Sequence, residues 1–108
     1  MARQMFMTKA IETSIPALYS QENMGDDAVV YVKYFNPCGS QSWFMTEYDP
    51  EQRLFFGYIT GMHEDELGYF SRDELESIKL RFGLYIERDT HFANGKVTLG
   101  QIKNKEVS

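Results

Sequence analysis

Val29-Val30-Tyr31-Val32-Lys33-Tyr34-Phe35 decides the fold. All but Lys33 are β-branched or aromatic, a composition that suits the pleated surface of a strand. Val30, Val32 and Tyr34 fall on one face, and Val29, Tyr31, Lys33 and Phe35 on the other. Both faces are largely apolar, so the strand is expected to be central in its sheet. Asn36 to Ser42 follows as a turn carrying Pro37 and Gly39. Trp43 to Asp49 reads as a second strand. Asp49-Pro50-Glu51-Gln52 then makes a turn with proline where its fixed φ fits. Arg53 to Thr60 is a third strand, and the short connections imply an antiparallel meander. Gly57, inside that third strand, marks a bulge or a close neighbour.

Working outward, Thr8 caps a helix from Lys9 to about Ser14, which Pro16 ends because the residue before a proline avoids helical angles. Downstream, Leu67 to Phe70 is a short fourth strand. Ser71-Arg72-Asp73-Glu74 is a capping box opening a helix to about Arg81, with Leu75, Ile78 and Phe82 on one face and Gly83 as its stop. Tyr85 to Arg88 offers another strand, and Asn94-Gly95 is a turn signal. Thr98-Leu99-Gly100-Gln101 is a weaker capping box, with Gly100 and a polar tail keeping its helix short. The expected fold is α+β, a small antiparallel meander of three to five strands with two helices packed on it. Residues 1–108 form a single domain in this reading, and 93–108 a short polar tail.

Composition bounds the function. The chain has 108 residues, 43% hydrophobic and 25% charged, which is globular usage and excludes disordered and coiled-coil classes. One cysteine excludes a disulfide-stapled scaffold. No run approaches the ~20 apolar residues of a membrane helix. Met1 to Thr8 lacks the apolar run of a signal peptide, and there is no Asn-x-Ser/Thr sequon, so the cytoplasm is the expected compartment. Net charge is −5, a sign that disfavours direct nucleic-acid binding. Between Glu22 and Glu76 twelve acids face three bases, a local charge of −9, whereas the flanks together carry +4.

Few residues suggest chemistry. Cys38 lies in a turn with no histidine near it in sequence to lower its pKa. His63 beside Glu64, Asp65 and Glu66, and His91 near Asp89, lack the spacing of metal ligands. Glu47 and Asp49 share a strand face, the arrangement by which paired carboxylates hold Mg²⁺, but no matching nucleotide motif accompanies them. No P-loop, dinucleotide fingerprint or nucleophile elbow occurs. No catalytic residue, metal or cofactor is therefore expected. The alternative is a small enzyme or ligand- or metal-binding domain using Glu47, Asp49, His63 or His91.

Several blocks resemble one uncharacterised domain family of small bacterial, phage and plasmid proteins. They are Pro16–Glu22, Val30–Phe35, Thr46–Asp49, Phe55–Gly57, Glu66–Ser71 with Glu74–Glu76, and Ile86–Asp89, in that order over about residues 8–92. The resemblance implies a mobile-element context and a small α+β domain, and supplies no site residues.

Nine aromatic residues lie on the expected meander: Tyr31, Tyr34, Phe35, Trp43, Phe44, Tyr48, Phe55, Phe56 and Tyr58. Two short helices cover one sheet face, so either the last segments wrap the other face or rings are exposed. The expected function is a non-enzymatic acidic protein-interaction module. Trp43 and Tyr48 are its expected anchors, amid Glu47, Asp49, Glu51, Glu64, Asp65 and Glu66. Its partner is expected to be a protein, in one form a DNA-handling or defence protein that it regulates or inhibits. A homodimer is the further arrangement this patch allows.

Overall fold

The computed structural model describes residues 4–105. Helix α1 spans Lys9–Ser14, and the Thr8 side chain accepts the Ile11 N–H at its start. Strands β1 (Val29–Val30), β2 (Val32–Phe35), β3 (Ser42–Asp49), β4 (Leu54–Thr60) and β5 (Glu66–Ser71) follow. Then come α2 (Arg72–Ser77), β6 (Glu87–Arg88), β7 (Val97–Thr98) and α3 (Leu99–Lys103). β5, β4, β3, β2 and β6 lie side by side in that order in an antiparallel five-stranded sheet, while β1 pairs with β7 separately. The architecture is α+β, as expected.

The opening stretch is not one strand. It divides at Tyr31, with Val29 and Val30 pairing to β7 and the rest pairing to β3 and β6. Tyr31 still donates its N–H to the Met45 carbonyl at 2.9 Å, so the chain bends without leaving the sheet's edge of influence. The central strand is β3, not the opening stretch, with all positions from Trp43 to Tyr48 buried.

A bulge in β3 sets which residues enter the core. Met45 pairs with Gly57, but Glu47 pairs with Phe56, which leaves Thr46 unopposed. One extra residue reverses the alternation of the strand. Trp43 and Tyr48, of opposite parity, therefore point to the same face. Gly57 sits opposite the bulge in close contact: a Cβ there would meet the Phe44 carbonyl oxygen at 2.5 Å and Met45 Cα at 2.9 Å.

The first face holds the main core, in which Tyr34, Trp43, Met45, Tyr48, Phe55 and Ile59 pack with Phe6, Ile15 and Leu75. Phe6 stacks on Tyr34 with ring centroids 4.2 Å apart, and the Tyr34 hydroxyl donates to the Phe6 carbonyl at 2.9 Å. Arg72 ties both helices to this layer, donating from Nη1 to Glu12 at 3.1 Å and to the Tyr48 hydroxyl at 3.0 Å.

Part of the second face is covered by the segment read from sequence as a polar tail. Val97, Leu99 and Ile102 bury against Ala28, Val30 and Phe44. Thr98 and Gln101 form the expected reciprocal capping box that starts α3. The tail reading is thus corrected, because three apolar residues within it close a second core.

α2 also differs from expectation. Ser71 caps it by accepting the Glu74 N–H, but it ends at Ser77 rather than near Arg81. Leu80 instead donates to the Leu84 carbonyl at 2.7 Å across a tight turn with Phe82 at φ 63° and Gly83 at φ 72°. Gly83 serves that turn, and only Leu75 of the expected apolar stripe is buried, while Ile78 and Phe82 are exposed.

Candidate functional site

Of the residues expected at an interaction surface, three lie inside the molecule. Trp43 is 6% exposed and Tyr48 1%, so neither is a surface anchor. The bulge turns both onto the helix-covered face. Glu47 is 2% exposed. Its Oε1 accepts the Tyr19 N–H and its Oε2 the Gln21 N–H, each at 2.8 Å. Glu47 therefore fastens the loop after α1 to the sheet. Gln21 completes the fastening, donating from Nε2 to the Thr46 carbonyl at 2.8 Å and to the Val29 carbonyl at 3.0 Å.

The remaining acids lie outside the core. Asp49 accepts from the Glu51 N–H at 3.0 Å and from Gln52 Nε2 at 2.6 Å, which holds the turn between β3 and β4. Glu51 is exposed, as are Glu64 and Asp65 in the loop before β5 and Glu66 at its first position. His63 lines a shallow cleft with Ile59, Met62, Glu64, Glu66 and Phe70. The His91 N–H donates to Asp89 at 2.9 Å. Among the described residues no three His, Cys, Asp or Glu side chains converge on a point where a metal could sit.

Aromatic exposure does occur, at residues sequence reasoning did not choose. Register places Glu47, Phe56 and Tyr69 in one cross-strand row of the second face. Lys33, Phe44, Tyr58 and Leu67 form the next row. α3 and β7 cover the β2–β3 end of these rows, but the β5 end is open, leaving Tyr69 50% and Leu67 46% exposed. The Phe56 and Tyr69 rings lie 4.9 Å apart, and Tyr19 is exposed beside them. The hydrogen bond with Tyr19 raises the Tyr69 pKa above its ordinary value. Partial desolvation and the negative charges of Glu47 and Glu22 add to that rise. The sequence signal for this patch is the apolar content of Leu67 to Phe70; its exposure is set by topology, because the later strands β6 and β7 pair with β2 and β1 rather than with β5.

The two sheet edges are treated differently. At β6, the Gln4 side-chain amide donates to the Arg88 carbonyl at 2.9 Å and accepts the Arg88 N–H at 2.8 Å. It imitates a further strand and closes that edge. At β5, no group among the described residues bonds the outward-facing backbone of Glu66 to Phe70.

Geometry thus defines a small α+β sheet domain with one closed edge, one open edge and an apolar patch beside the open one. The chain belongs to the family described as Protein of unknown function (DUF2958), which matches residues 6–103. That match takes in β7 and α3, beyond the stretch where the sequence blocks were recognised. No curated protein and no solved structure is significantly similar to the chain. No helix among the described residues is long and apolar enough to cross a membrane.

Proposed function

We propose that this protein is a non-enzymatic, acidic protein-interaction module of a mobile genetic element, acting in the cytoplasm. Its partner adds an extended segment to the β5 edge and lays apolar side chains on Leu67, Tyr69 and Phe56. The open β5 edge with its exposed apolar residues carries this reading, since soluble proteins ordinarily blunt such edges with lysine, proline or a covering element. Charge complementarity gives the partner's chemistry. Glu64, Asp65 and Glu66 lead into β5 and Glu22 lies near Tyr69, so a segment mixing basic and apolar residues fits best. A DNA-handling or defence protein offers such basic segments, and its regulation or inhibition is the form of activity we infer. Leu67, Tyr69 and Phe56 take the anchoring role that the buried Trp43 and Tyr48 do not fill.

Affinity capture from the native host tests this. Leu67→Lys with Tyr69→Lys places two charges at the edge, and should abolish capture of the partner while the variant stays folded by circular dichroism. Charge reversal at Glu64, Asp65 and Glu66 should weaken capture and flatten its salt dependence. Capture unchanged in both variants overturns the reading.

A further inference from the structure

The other face of β5 carries a feature that the apolar patch does not use. Along β5, Glu66, Gly68 and Phe70 share one face by strand alternation. It is the face of the main core, because Ile59, paired with Glu66, lies within that core and Phe70 packs against it. Gly68 pairs with Gly57, so this cross-strand row has no side chain of its own. Over Gly57 the space is taken, with Met45 Sδ 2.9 Å from where a Cβ would stand. Over Gly68 it is open, and a Cβ there would touch only the Phe70 ring, at 3.5 Å and 3.8 Å. A cleft of about 360 Å³ lies on this face, walled by Ile59, Met62 and Phe70 and rimmed by His63, Glu64 and Glu66. We infer that this cleft receives one arginine or lysine side chain of the strand that a partner adds at β5.

The inference rests on β5 being the edge that a partner extends, and it names what selects that partner. Side chains of an added strand alternate between the two faces of the sheet. The residue opposite Gly68 points to the main-core face, into the cleft, while its two neighbours lie over Leu67 and Tyr69 on the second face. The walls are apolar, and Met62 is 54% exposed. The rim holds two carboxylates and no lysine or arginine. The ion pairs among the described residues use Glu12, Asp26, Asp73, Glu76 and Asp89, so Glu64 and Glu66 have no cationic partner among them. A long basic side chain matches both parts, because its hydrocarbon stem covers apolar walls while its head stays at a charged rim. Arginine fits better than lysine, since its planar head can stack on the Phe70 ring as well as pair with a carboxylate. An aliphatic side chain would leave the rim charges unanswered, and an acidic one would be repelled by them.

Blocked peptides Thr-Val-Arg-Val-Thr and Thr-Val-Gln-Val-Thr serve as probes, at up to millimolar concentration, in amide chemical-shift titrations of the full chain. Both should shift residues along β5. The arginine peptide should in addition shift Met62 and Glu64, and bind about five-fold or more tightly, the size of a surface ion pair together with a ring contact. That preference should shrink as salt is added. Gly68→Val puts a side chain where the arginine would lie, and should equalise the two peptides while both still bind at β5. Glu64→Gln with Glu66→Gln, both exposed and so harmless to folding, should equalise them as well. Equal binding of the two peptides to the parent, or a preference that survives in both variants, overturns the cleft's role and leaves strand addition standing. Absence of shifts along β5 with either peptide overturns strand addition and this inference with it.

Discussion

Glu47 illustrates how one residue can be read correctly for position and wrongly for role. It does share a strand face with Asp49, as its spacing requires, yet it is enclosed and holds two backbone N–H groups of the loop after α1. Glu47→Ala would leave both partly buried donors without their partner, and should cost about 2 kcal/mol in urea unfolding. A loss below about 1 kcal/mol would show that water takes over both bonds. Trp43 and Tyr48 were misplaced for a different reason. Strand alternation puts residues five apart on opposite faces, and nothing in the side chains announces the unpaired Thr46 that puts them on the same one. Leu67 and Tyr69 are legible as strand residues, but their exposure depends on β6 and β7 pairing elsewhere than at β5, which is a property of topology.

At the scale of elements, sequence reasoning served best where a few adjacent residues carry the signal. The caps at Thr8, Ser71 and Thr98 all form, because each needs only a side-chain oxygen and an N–H three residues on. It served less well at element ends. α2 stops at Ser77 because residues 79–85 fold into a turn of their own, with Lys79 bridged to Tyr85 and Leu80 bonded to Leu84, a local alternative that outcompetes the helix. Gly57 marks both a bulge and a close approach, with the bulge on the facing strand. Gly57→Ala would press a methyl group into the backbone of β3, where neither the Phe44 carbonyl nor Met45 Cα can swing aside. A loss of about 2 kcal/mol is expected from thermal or denaturant unfolding. An alanine variant as stable as the parent would mean that the bulge relaxes to accept it.

For the whole molecule, the expected dilemma between a wrapped second face and exposed rings resolves as both. Three buried residues of the C-terminal segment wrap one half of that face, and the β5 half remains open. The same folding-back brings together charges that lie far apart in sequence. Lys103 and Lys105 lie some seventy residues from Lys33 in sequence, yet all three line one groove together with Asp65, with Lys33 paired to Asp89 and Lys103 to Asp26. A count along the chain cannot show such convergence.

Stability at alkaline pH is also a property of the whole core. Burial raises the Tyr34 hydroxyl above the ordinary tyrosine value of 10.0, against the partly opposing charges of Arg72 and Arg88. The unfolded chain releases this proton near that ordinary value, while the folded chain retains it. The stabilisation is therefore complete below about pH 10 and is lost progressively as pH rises above it. Tyr34→Phe should flatten the decline of the urea midpoint above about pH 10. A decline as steep as that of the parent would place the sensitive group elsewhere.

Gln4 sets a limit on what any assembly through β5 can become. A partner strand that extends the sheet on the open side finds the opposite side already plugged by an amide side chain. Growth therefore stops after a single addition, and complexes made this way are capped pairs rather than filaments.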